Sequence, residues 1–125
     1  IALYPSQGIN GLFVADSETH MYIRARRFVA EPGSKVLAFD HDKWTEKLDY
    51  HKQSADDALA LFQYLRKLTY DLLKDLPEET WANTVEHSQY GVMTLEQWLE
   101  RADRHANDHL GQIKSNYESW SKQAP

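Results

Sequence analysis

Cysteine is absent from the 125 residues, which removes disulfides, thiolate metal ligation and thiol nucleophiles in one step. Glycine and proline are sparse, at five and four, and no Gly-rich phosphate loop or G-x-S-x-G elbow occurs. No apolar run approaches the roughly 20 residues that span a bilayer. The first residues, from Ile1, show no basic stretch followed by a hydrophobic segment, so neither a membrane partner nor a signal peptide is expected. With the missing cysteines, this suggests a cytoplasmic protein. A start without Met reads as an incomplete N-terminus. Alternation of apolar and polar residues is also missing, so no strands are expected, and there is no internal repeat or low-complexity tract.

Charge of one sign is not concentrated anywhere. The net charge of -5 comes from 19 acidic and 14 basic residues mixed along the chain, whereas nucleic-acid binders gather Lys and Arg on one surface. Nucleic acid is therefore not an expected partner, and the densest basic cluster, Arg24, Arg26 and Arg27, reads as ion pairing within the fold. What is present in quantity is apolar and aromatic: 42% hydrophobic residues, with four Trp, seven Tyr and four Phe. A chain of this length buries a core without staples, and residues 1–125 read as one domain.

The clearest helix is SADDALALFQYLRKLTYDLLKDLP, residues 54–77. Ser54 is a suitable N-cap, Asp56 and Asp57 sit in the first turn where the helix dipole favours them, and Leu61, Leu65, Leu68, Leu72 and Leu76 recur at spacings of three and four up to Pro77. A last helix opens at Thr94, which forms a capping box with Gln97. Its apolar stripe of Leu95, Trp98, Leu99, Ala102 and Ala106 runs beside His105 and His109. Residues 6–30 read as a third helix, ended by EPGS at 31–34. Residues 42–49 could form a short helix, PEETWANTV at 77–85 a turn or two, and EHSQYG a polar connection to Thr94. Three long helices and several short ones pack most naturally as an all-α bundle, which a missing front helix would complete to four. Trp44, Trp81 and Trp98 are expected to pack it; His41 and His51 are assigned no role.

Residues four apart on a helix stand one turn up the same face, roughly 6 Å apart, so His105 and His109 could close on one divalent ion. They could equally be half-buried histidines bonded to neighbouring helices. Two ligands do not complete a catalytic site, which usually takes three and leaves a position open.

VADSETHMYIRARRFVAE, AFDHDKW, LDYHKQS, LFQYLRKLTYDLLKDLPEETWAN, EHSQYGVMTLEQWL and RHANDHLGQI, in order from about residue 9 to residue 114, together resemble the DinB-like superfamily of damage-inducible proteins. The resemblance implies a four-helix bundle of up-down-down-up order with short extra helices in its connections, often a homodimer. It also implies a divalent metal (Ni, Zn, Fe or Mn) held by one His from an early helix and an H-x-x-x-H pair from the last. Members are often described as metal-dependent hydrolases, and some branches are thiol-dependent transferases or isomerases. Carried over, His105 and His109 match the last-helix pair, while the early His of H-x-x-D-x-E falls on Phe13 of FVADSE. A phenyl ring cannot ligate, so the site is either altered or lost. Asp16, Ser17 and His20 share the helix face of Phe13. Asp16 could supply the third ligand, or could pair with Arg24 instead. His20 and His87 are candidates for an outer shell around the ion, His87 as a hydrogen-bond donor or proton shuttle. Two expectations follow: a metal-dependent hydrolase or transferase acting on a small molecule through an altered site, or a metal-free bundle serving as a binding or dimerisation module.

Overall fold

The computed structural model describes residues 5–102, with side chains from residue 14 onward. The long helix α1 (Pro5–Ala30) ends where Pro32 and Gly33 turn the chain. The Ser34 amide donates to the Glu31 carbonyl at 3.1 Å, and Gly33 takes φ +83°, the left-handed conformation that the third position of a type II turn demands. A short strand β1 (Lys35–Val36), helix α2 (His41–Lys47) capped by Asp40 and a single 3₁₀ turn (Tyr50–Lys52) lead to α3 (Ala55–Leu73). Ser54 caps α3 as expected, its hydroxyl accepting from the Asp57 amide at 3.2 Å.

Helix α3 stops four residues short of Pro77, because the residue before a proline is pushed out of helical geometry and the chain needs room to turn. A second 3₁₀ turn (Glu78–Ala82) follows.

The EHSQYG segment corrects the sequence reading. It is not a polar connection but the tip of a hairpin, β2 (Thr84–His87) and β3 (Gly91–Thr94). Gly91 at φ +75° accepts the left-handed position that closes a three-residue loop. β1 adds in parallel to β2, giving a three-stranded sheet of order β1-β2-β3. Strands of two to four residues are too short to display alternation, and Glu86 and His87 supply none. The all-helical expectation therefore holds for the bundle but not for this small sheet in its connections. Immediately after β3, helix α4 opens at residue 95 and is described through residue 102. The capping box is present in both directions: the Gln97 amide donates to Thr94 Oγ1 at 3.1 Å, and the Thr94 amide to Gln97 Oε1 at 3.0 Å.

The two long helices α1 and α3 run parallel, since Glu18 meets Arg66 towards one end while Phe28 and Leu73 share the core at the other. Parallel neighbours are what an up-down-down-up bundle requires, and residues 31–54 supply the return crossover. The core gathers Ala25 and Phe28 from α1, Leu73 from α3, Val36 and Val85 from the sheet, and Leu95 and Trp98 from α4. Trp81 packs against its edge, and Trp44 packs against the His20 and Phe39 rings, 5.0 Å from each. Among the described residues, no helix is long and apolar enough to cross a membrane.

Candidate functional site

Helix α1 is the organising element because its residues face neighbours on several sides. Ala15, Ser17, Glu18, Ala25 and Phe28 are all buried. The sequence places Asp16 and His20 one turn apart, and the structure gives each a distinct environment. Asp16 Oδ2 accepts a hydrogen bond from the Tyr50 hydroxyl at 2.8 Å, so the expected alternative, an ion pair with Arg24, does not form among the described residues. Burial first, and then the Asp16 hydrogen bond and charge, keep the Tyr50 proton in place by raising its pKa. His20 stacks on Phe39, with ring centroids 4.0 Å apart and planes 7° from parallel. Its Nε2 is buried without a partner among the described residues. Burial lowers its pKa below 6.5, Arg24 and His41 push the same way, and Asp16 opposes.

His87 lies apart from that pair, at the end of β2. It is 5% exposed, and its Nδ1 accepts from the backbone amides of Gln89 (3.0 Å) and Tyr90 (3.2 Å) in the hairpin loop. A ring nitrogen that accepts twice cannot also carry the proton, so neutral His87 is the Nε2–H tautomer. Burial, then Arg24 and Arg101, lower its pKa from 6.5, which favours that neutral form. His87 stacks on Tyr90 at 4.6 Å and lines a cavity of about 110 Å³ with Ser17, Arg24, His41 and Arg101.

A second and larger cavity, about 410 Å³, lies between α1, α3 and α4 and shares Ser17, Met21, Trp98 and Ala102 with the first. On its wall, Glu18 Oε1 accepts from Arg66 Nε at 2.9 Å. Neither residue stands out in the sequence, because their pairing depends on the parallel packing of α1 on α3, and Glu18 sits in a polar run, Asp16 to His20, that gives no sign of which side chain is buried. Burial raises the pKa of Glu18 from 4.5, and Arg66 offsets only part of that cost. The folded state thus holds the Glu18 proton more tightly than the unfolded chain, so stability declines as pH rises from 4.5 through the raised value, and this contribution is flat above it. Glu18→Gln keeps an oxygen to accept from Arg66 and removes the charge. Its stability relative to wild type is expected to improve as pH rises through that window. Urea midpoints of both proteins across the range test this, and a pH-independent difference would count against it.

The remaining candidates fall at the limits of the described structure. The backbone of Phe13 lies in α1, but its side chain is outside the described residues, as are His105 and His109 altogether. Among the described residues, no three His, Asp or Glu side chains converge as metal ligands would. The Arg cluster behaves differently from the expected ion pairing. Of the three, only Arg27 meets a carboxylate among the described residues, Glu31 at 3.2 Å. Arg26 lies over the Tyr22 ring at 3.5 Å, and Arg24 donates to the Leu37 carbonyl at 2.9 Å.

Comparison with known proteins adds three findings. The family model described as the DinB superfamily matches residues 14–113. A protein of Halalkalibacterium halodurans described as a "putative metal-dependent hydrolase" is 25% identical over 101 residues, covering 81% of this chain and 58% of its own length. The fold is similar to that of YfiT from Bacillus subtilis, described as "a probable metal-dependent hydrolase with an unusual four-helix bundle topology". The TM-score is 0.84 at 23% identity, over 91% of this chain and 66% of that one. The chain thus spans less than two thirds of the length of either protein.

Proposed function

This chain belongs to the DinB superfamily, and we propose that it carries an altered divalent-metal site serving hydrolysis or thiol-dependent group transfer on a small molecule. His105 and His109 supply two imidazoles, and Asp16 supplies a carboxylate in place of the early histidine whose position Phe13 occupies. When bound, a divalent ion at such a site lowers the pKa of a coordinated water or thiol and polarises the bond under attack.

The observation that carries this reading is the Tyr50–Asp16 hydrogen bond of 2.8 Å. The phenol occupies Oδ2 alone, and no Lys or Arg among the described residues neutralises the carboxylate. An oriented, uncompensated carboxylate with one oxygen left over suits a ligand whose direction is fixed by an outer donor. Tyr50 is therefore the orienting residue in this scheme, and its raised pKa keeps it a donor. The competing reading is a metal-free binding or dimerisation module, favoured by the aromatic residue at position 13.

Elemental mass spectrometry of untagged protein separates the two. About one equivalent of nickel, zinc, iron or manganese, falling to a small fraction in His105→Ala, is the expected result. No metal even after loading with excess divalent ion would leave the metal-free module.

A further inference from the structure

The small cavity between α1, the hairpin and α4 has an unusual lining for an acidic protein. With 19 Asp and Glu in the chain, none of the described ones reaches it, whereas two arginines and two histidines do. Arg24 comes from α1 and Arg101 from α4, and neither pairs with a carboxylate among the described residues. Arg101 lies over the Tyr90 ring with its guanidinium carbon 3.5 Å from the centroid, a geometry that fixes the guanidinium plane and leaves its N–H edge available. Arg24 spends one nitrogen on the Leu37 carbonyl. It is thereby anchored at the cavity wall, with further donors to spare.

Three more features point to the same kind of occupant. The hairpin loop saturates His87 Nδ1 with two amides, which commits the ring to presenting Nε2–H as a donor. Ser17 is 7% exposed, lines the cavity, and its Oγ has no partner among the described residues. A buried hydroxyl left without a partner costs free energy unless something else satisfies it. Arg24 and Arg101 also both depress the His87 pKa, so their positive fields overlap at the ring.

We propose that this cavity is a subsite for the anionic group, carboxylate or phosphate, of a small acid, clamped between Arg24 and Arg101 with His87 Nε2–H and Ser17 Oγ as neutral donors. Guanidinium groups match the oxygen pairs of both anions, and a volume of about 110 Å³ admits such a group and little else. The proposal deepens the functional reading above and rests on it for the subsite's place in a reaction: Arg101 precedes His105 by four residues in the sequence, so the clamp would hold the acid end of the substrate on which the proposed metal acts. The clamp itself involves no metal, and its test can be made without one.

The test is calorimetric titration of the full chain, stripped with EDTA and at low ionic strength, with inorganic phosphate and separately with acetate. Saturable one-to-one binding of at least one is expected, and which of the two binds more tightly assigns the anion class. Affinity is expected to fall at least about tenfold in Arg101→Gln and in Arg24→Gln, in keeping with loss of a charge-assisted hydrogen bond. Arg101 is exposed and outside the core, so its variant keeps the fold, which circular dichroism verifies. Absence of binding by both anions, or wild-type affinity in the Arg101→Gln protein, overturns the proposal. Because no metal is present, that failure would leave the metal reading untouched, and a metal-free result by mass spectrometry would not alter the titration.

Discussion

Phe13→His is expected to tighten divalent-metal binding by at least about 10-fold to 100-fold, a range that even outer partners of a metal site can command. Position 13 lies one turn before Ser17 and three residues before Asp16 on α1, so an imidazole there joins the face from which Asp16 is proposed to ligate. Neutral imidazole suits zinc, iron and nickel alike. Two histidines and a carboxylate hold an ion adequately, and a third imidazole either adds a ligand or releases Asp16 to an orienting role. Competition against a chelator of known affinity, with wild type, Phe13→His and Phe13→His/Asp16→Asn measured side by side, resolves the two. Equal affinity in wild type and Phe13→His would mean that the α1 face does not address the ion, and Asp16 would lose its proposed role with it. The prediction bears on evolution as well as chemistry: a single reversion that restores tight binding marks the site as altered rather than dismantled.

The second large effect concerns stability. Phe28 is completely buried where α1 meets the sheet and α4, its ring 5.6 Å from that of Trp98, and its carbonyl accepts from Asn83 Nδ2 at 3.0 Å. One residue thus fixes three elements to each other. Phe28→Ala should cost about 3–5 kcal/mol, the sum of lost transfer energy and an unfilled cavity. Against a total of about 5–15 kcal/mol for a typical domain, that approaches global unfolding. Chemical denaturation monitored by tryptophan fluorescence gives the number. Val92→Ala is the matched control: Val92 is 69% exposed, and a change of no more than about 0.5 kcal/mol is expected there. A loss below about 1 kcal/mol at Phe28 would show that α1 is not held to the sheet as described.

Local signals in the chain were readable where the physics was local. Ser54, the Thr94–Gln97 capping box and the Pro32–Gly33 turn each act within four residues, and each occurs as the sequence implies. The leucine periodicity of α3 was likewise sufficient to locate it, apart from its last turn. What could not be read depends on contacts between elements distant in the chain. β1 becomes a strand only because β2 arrives beside it. Glu18 finds Arg66 only because α1 and α3 are parallel, and Arg24 abandons its basic neighbours for a carbonyl of residue 37. For the site, helical spacing led to Asp16 but not to Tyr50, 34 residues away, which gives that carboxylate its direction. His87 was suggested by its segment, yet its tautomer follows from a hairpin that four-residue strands do not announce.

The parallel pairing of β1 with β2 also bears on the order in which the molecule assembles. The hairpin joins residues only a few positions apart and can close early, whereas Lys35 must find Glu86 and Val36 must find His87 across a loop of about fifty residues, at an entropic cost that grows with loop length. That search becomes short only after α1 and α3 have packed and carried the two segments together. The wall bearing His87 is therefore completed after the bundle has formed. Besides that ladder, the wall is tied by the Gly33 amide on the Thr84 carbonyl at 2.7 Å and the Ala38 amide on Ser88 Oγ at 2.8 Å, and Val85 roots it in the core, so slow hydrogen exchange along the β1–β2 seam would report the packing of the bundle rather than the strength of a four-residue strand.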